Sequence, residues 1–325
     1  RGFIQPAVQR FHQEAHALHQ ALTTTTHAAM TAVWRDGRVN EAFHRLVRAW
    51  AGLSLLRFGP LVQDNRFERL FFWPDTRNVM QRQIRPLLQS VDTVPQDLRM
   101  HSVAVQGLPA LEYVMDLNWG LLPEDRIKAQ YEARGAYVRA LARNLLAIAQ
   151  DLQQAWGDVD VHGSYAWDFA HPGPSNTFYR NEKEVLAEAI KMLSAGLRFA
   201  GEVQLRAALG LEQNRARVQR LPFWRRHIAG RMLALSVRAL AQWHFVAAFA
   251  GEPGWLRQNL QGELQQSAEL LYQSGISLSD MAASPDTWQT LSLVVLKLDN
   301  ARRMVDEDLA AALGVALGFN ALDGD

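Results

Sequence analysis

Residues 40–57 read NEAFHRLVRAWAGLSLLR. Phe43, Leu46, Val47, Trp50 and Leu53 recur at steps of three and four, while His44, Arg45 and Arg48 take the opposite side. A 3.6-residue period places the first set on one stripe, so the segment predicts a helix with one buried face. The same pattern returns near the other end, where Leu291, Val294, Val295, Leu298, Met304 and Val305 form a stripe with Lys297, Asn300, Arg303 and Glu307 facing away. Leu122–Trp156 and Glu182–Leu211 are rich in Ala, Leu, Glu, Gln and Arg and predict long helices. Alternation of the strand kind is scarce. The expected fold class is all-α, with long helices joined by short connections into bundles.

Punctuation supports these bounds. Phe58-Gly59-Pro60 closes one helix with glycine followed by proline. Pro123-Glu124-Asp125 and Ser284-Pro285-Asp286 open others, with proline in the first turn and carboxylates at the positive end of the helix dipole. The longest stretch without helical character, Gly157 to Asn181, carries Tyr165, Trp167, Phe169, Phe178 and Tyr179 among its glycines and prolines. A flexible linker is poorer in aromatics, so this one is expected to pack. It divides the chain into an N-terminal bundle (1–156), an aromatic-rich connection (157–181) and a C-terminal bundle (182–325). Phe72-Trp73 and Phe223-Trp224 each lead into a basic helical stretch, a faint echo between the halves.

The 325 residues include 48% apolar and 21% charged side chains, with ten Trp and fourteen Phe, enough for a substantial core. Lys plus Arg number 34 against 33 Asp plus Glu, a formal charge of +1 that gives no electrostatic ground for a nucleic-acid partner. There is no cysteine, which excludes disulfides, thiolate metal sites and thiol catalysis. No uncharged apolar run reaches the roughly 18 residues a transmembrane helix needs. The chain begins at Arg1 rather than Met and is read as processed or trimmed, so any signal peptide or lipid-bearing Cys would lie upstream.

Several segments together resemble the imelysin family: Phe3-Ile4-Gln5-Pro6 ahead of a long helix, Trp50 with the downstream Arg57-Phe58-Gly59-Pro60, Phe72-Trp73-Pro74-Asp75-Thr76-Arg77, Gly107-Leu108-Pro109-Ala110-Leu111-Glu112-Tyr113, and the ending Leu317-Gly318-Phe319-Asn320-Ala321-Leu322-Asp323-Gly324-Asp325. The resemblance implies two packed helical bundles related by an old duplication and a polar cleft between them. It further implies export to the periplasm or outer membrane, an N-terminal lipid being one means of anchoring to the latter, and association with iron uptake.

At the family's Gly-x-His-x-x-Glu motif this chain keeps Gly107 and Glu112 but has Pro109 in the histidine position. His and Glu three apart on a helix share a face and can share a cation. Proline offers no donor atom. Two readings of Glu112 follow: a first-turn carboxylate facing orphan amides, or a retained contact to a ligand's cationic group. Arg57, Trp73, Asp75 and Arg77 have the same duality, as helix caps and surface charges or as cleft residues. In the tail, Asn320, Asp323 and Asp325 are expected to return to that cleft. His101 is the nearest substitute imidazole for Glu112. His12, His16 and His19 lie at i, i+4 and i+7 beside Glu14, but they flank the stripe of Val8, Phe11, Ala15, Leu18 and Leu22, which suggests a half-buried edge.

The expected function is a non-catalytic periplasmic binding protein of iron acquisition, whose partner is a small ligand, a metal complex or a peptide. No cofactor is expected; iron or another divalent metal is the group such a site would take. A metallopeptidase of the imelysin type and a helical module docking on an outer-membrane or periplasmic iron-uptake protein are the alternatives. The first needs a metal with an open coordination position and a general base.

Overall fold

A computed structural model of the chain describes residues 1–25, 37–116, 124–274 and 284–316, and among them every regular element is helical. In order, the α-helices of five residues or more are α1 (Ile4–Thr24), α2 (Gly37–Leu53), α3 (Arg66–Leu70), α4 (Val79–Leu87), α5 (Gly107–Asp116), α6 (Glu124–Trp156), α7 (Tyr165–Ala170), α8 (Glu182–Arg198), α9 (Ala229–Ala247), α10 (Gly254–Ser274) and α11 (Pro285–Arg303). Both α8 and α11 run on without a break through a π-helical stretch, Phe199–Arg206 and Met304–Leu309 respectively. The all-α expectation is met.

The chain divides into two compact units that are not consecutive in sequence. Unit 1 comprises residues 1–7, 51–60 and 155–325; unit 2 comprises 8–50 and 61–154. Two short early segments and the whole of 157–181 group with the later helices.

Unit 2 is organised around Trp50, which is wholly buried with the rings of Phe11, Phe67 and Phe71 at 5.9, 5.4 and 5.5 Å. The α2 stripe places Phe43, Leu46 and Val47 in the same core. On its outer face Arg48 meets Glu41 at 2.5 Å, and Arg45 reaches Glu14 of α1 at 2.9 Å. The α1 stripe of Val8, Phe11, Ala15, Leu18 and Leu22 is buried as the period requires. The helix predicted over 40–57 ends earlier, at Leu53. The chain tightens there into short-range bonds, Leu56 to Leu53 and Phe58 to Leu56, which end the α-helical ladder before Arg57.

In unit 1, α9 lies along α10, α10 along α11, and α8 against both α9 and α11, a four-helix arrangement. Ser284 caps α11 by accepting the Thr287 amide at 3.3 Å, with Pro285 in the first turn. The early segments belong here because of their aromatics. Phe3 packs edge-on against Trp243 at 5.5 Å, and Phe58 against Trp156 at 5.6 Å and Phe169 at 5.5 Å. Gly59 has φ +54°, and a Cβ there would lie 2.5 Å from the Tyr165 ring, so the Phe-Gly-Pro turn needs glycine both for its backbone and for its neighbour. The aromatic-rich segment packs, as expected: Tyr165 and Tyr179 are buried with their hydroxyls 2.6 Å apart, and burial pushes the Tyr165 phenol up to about 12.

Candidate functional site

The segment entering α5 is assembled from short-range rules. Ser102 accepts the Ala104 amide at 3.3 Å and caps a 3-10 turn, Val103–Val105; Gln106 is then extended, and Gly107 takes φ +80°. A Cβ on Gly107 would sit 2.4 Å from the Leu70 carbonyl oxygen and 2.6 Å from that of Arg69. The start of α5 therefore rests on the last-turn backbone of α3, and only glycine allows that approach. Pro109 follows in the first turn, where the missing N–H costs no helical bond.

Every residue from Gly107 to Met115 is buried. Glu112 is 2% exposed and is the sixth residue of α5, so its carboxylate lies inside unit 2 and beyond the first turn, not at the helix start where one reading of the sequence put it. From α6, the fully buried Arg134 donates to the Met115 carbonyl at 2.6 Å, at the end of the same helix. Tyr137 donates its hydroxyl to the Val105 carbonyl at 2.6 Å, and burial raises its phenol far above the ordinary value. Beside Gly107, Gln106 is 1% exposed and holds a polar cluster together. Its Oε1 accepts from Arg69 Nε at 3.2 Å and Asn144 Nδ2 at 3.1 Å, while its Nε2 donates to the His101 carbonyl at 2.8 Å. Burial lowers the pKa of the Arg69 guanidinium, with repulsion from Arg66 and Arg99 adding to it, against the opposing pull of Asp151.

The α3–α4 connection carries Trp73, Asp75 and Arg77, and both α3 and α4 touch α5. Asp75 accepts the Val79 amide at 2.8 Å with one carboxylate oxygen and the Met80 amide at 2.9 Å with the other, so it caps α4. Trp73 is half-buried, and its indole N–H is buried without a hydrogen-bond partner. Arg77 is exposed. The structure thus brings Trp73, Asp75, Gly107, Pro109 and Glu112 onto neighbouring elements of unit 2. Arg57 belongs to unit 1, where its guanidinium lies over the Phe199 ring at 3.9 Å. Asn320, Asp323 and Asp325 lie outside the described residues.

The donor set does not fit a cation site of the motif's kind. Glu112 has a proline three residues before it, and His101 is exposed and enters the cluster through its backbone carbonyl only. Among the described residues no three His, Asp or Glu side chains converge to hold a metal. On α1, His16 is exposed, while His12 Nε2 and His19 Nδ1 are buried without partners. Burial lowers the His19 pKa, with Arg143 and His16 adding to the effect. Sequence reasoning missed Arg69, Gln106, Arg134 and Asn144. Each sits in an ordinary polar or helical context, and only Gln106, adjacent to an obligatory glycine, carried a local hint.

The family model described as imelysin matches residues 4–245. No curated protein matches the chain. Among solved structures, an imelysin-like protein from Psychrobacter arcticum 273-4 superposes with a TM-score of 0.76 at 19% identity, over 98% of this chain and 93% of that one. A candidate iron-regulated protein A precursor from Parabacteroides distasonis does so with a TM-score of 0.68 at 13% identity, over 93% of this chain and 90% of that one. At such identities the likeness speaks for the fold.

Proposed function

The chain belongs to the imelysin family, and from that premise we propose that it is a non-catalytic binding protein of iron acquisition, working on the periplasmic side. The observation that carries this reading is Pro109. It stands where the family resemblance places an imidazole, and it is buried in α5. Glu112 keeps its place in the helix but lacks the ligand that would make it half of a chelate. A hydrolytic metal needs a complete shell with one open position, and α5 supplies no imidazole, only the buried Glu112 and the exposed Asp116. The likeness to an iron-regulated relative supports the iron-uptake context. No helix among the described residues is long and apolar enough to cross a membrane. The ligand is a small metal complex or peptide, received at the half-buried Trp73 and the neighbouring α5 segment, where the indole N–H has no protein acceptor.

The test has two arms. Elemental analysis of the purified protein, followed by chelator stripping and calorimetric titration with zinc and ferrous ions, is expected to give substoichiometric metal. Pro109→His is expected to gain affinity for either ion. One tightly held metal per wild-type chain, or peptide cleavage abolished by a chelator, would overturn the non-catalytic reading. In cells, deleting the gene is expected to lower uptake of radioactive iron under iron limitation. Unchanged uptake would refute the iron-acquisition role.

A further inference from the structure

Unit 1 contains a pocket of about 590 Å3, within the size range of small-molecule sites, between the start of α8 and the end of α9. Three aromatic rings line it, Phe169, Trp243 and Phe249, with Leu186 and Ala189 as apolar wall and Glu182 at its edge. No Lys, Arg or His is in the lining, and Glu182, its one charged side chain, makes no ion pair among the described residues.

The rings are held in place. Trp243 donates its indole N–H to the Ala189 carbonyl at 3.1 Å. Phe169 lies tilted against Phe58 at 5.5 Å and meets Tyr179 edge-on at 5.4 Å. Phe249 sits in the α9–α10 turn, which is tied down by a buried polar group. Gln261 Nε2 lies 2.9 Å from both the Ala241 carbonyl and His244 Nδ1. A carbonyl only accepts, so that contact marks the amide nitrogen, and His244 Nδ1 is its second acceptor. The imidazole proton is then on Nε2, donated to Glu252 Oε1 at 2.6 Å. Arg257 Nε lies 3.0 Å from the other Glu252 oxygen, an ion pair not aligned as a hydrogen bond. The Glu252 amide donates to the Phe249 carbonyl at 3.1 Å and closes the turn.

A preorganised set of aromatic side chains with one carboxylate and no cation selects its ligand by charge and by hydration. The ring quadrupoles and Glu182 attract a cation and repel an anion. A bare ammonium or metal ion gains nothing from the apolar part of the wall, whereas alkyl groups on nitrogen are weakly hydrated and match Leu186 and Ala189. We propose that this pocket binds an alkylated ammonium group. The site lies wholly in unit 1, and none of its lining belongs to the α5 segment, so it stands apart from the reading of Pro109.

The probe is choline, titrated against the intact protein by saturation-transfer NMR, with its uncharged dimethylbutanol isostere as the control. Choline is expected to bind saturably and about tenfold more tightly than the alcohol. Glu182→Gln, at an exposed position, is expected to weaken choline about fivefold with unchanged melting behaviour. Phe169→Leu, which keeps an apolar side chain, should weaken it to a similar degree. Equal binding of cation and alcohol, no saturation by about 50 mM, or choline affinity untouched in both variants would each overturn the proposal.

Discussion

Replacing Gln106 by Leu removes three hydrogen bonds while nearly preserving volume, which makes it the cleanest probe of the cluster that positions α5. Asn144 Nδ2, buried, loses its acceptor; Arg69 loses its Nε partner at 3.2 Å; the His101 carbonyl loses its donor at 2.8 Å. A buried polar group left unpaired costs about 1–3 kcal/mol. Asn144 warrants the middle of that range. Arg69 and the His101 carbonyl are part-exposed, so water recovers much of their loss, and the added apolar burial of leucine offsets a little more. The net expectation is about 3 kcal/mol. With a urea slope of about 2–3 kcal/mol per molar, the unit 2 transition should move down by about 1 M. The double variant Gln106→Leu with Asn144→Leu removes both ends of one bond and should be about 1 kcal/mol better than the sum of the singles. A Gln106→Leu loss under about 1 kcal/mol, or strict additivity, would refute the assignment of the cluster as a support for α5.

Gly107→Ala should cost at least about 3 kcal/mol in thermal or urea unfolding, because positive φ strain adds to a methyl group forced against two carbonyl oxygens; a loss under about 1 kcal/mol would show that α3 yields easily. Asp75→Ala leaves the Val79 and Met80 amides without their acceptor and should lower stability by about 1–2 kcal/mol, with Asp75→Asn intermediate; calorimetry that ranks Asn with wild type would deny the two-oxygen cap. Burial raises the Glu188 carboxyl above its ordinary value, opposed by Lys191, so the folded state favours the protonated acid. That contribution is fully present below the unfolded carboxyl pKa near about 4.3 and is lost as pH rises through the folded value. Glu188→Gln should therefore raise the melting temperature at neutral pH and leave it unchanged at pH about 4, and an equal shift at both would contradict the burial argument.

The stripe over Phe43–Leu53, the Ser284-Pro285 opening of α11, and the packing of the 157–181 aromatics were all legible in the chain alone, while Pro123 lies outside the described residues. Each depends on spacing of a few residues, and helix period, capping and burial of apolar rings act over that range. Gly107 was legible as a turn, and the loss of a chelating imidazole at Pro109 needed only the residue's covalent structure. What lay out of reach was which polar side chains would be interior. Arg134 looks like any basic residue on a long helix, yet it is fully buried against the end of α5. Asp75 read equally well as cap or ligand contact until the backbone brought the Val79 and Met80 amides to its two oxygens. The three rings and the carboxylate of the unit 1 pocket come from residues 169, 182, 243 and 249, too far apart along the chain for any local period to relate them. Local sequence determined the helices and their faces because those follow from neighbouring dihedrals and side-chain transfer into an apolar phase. Tertiary packing alone decided which charges were desolvated and which rings met, since both depend on what another helix places on the far side.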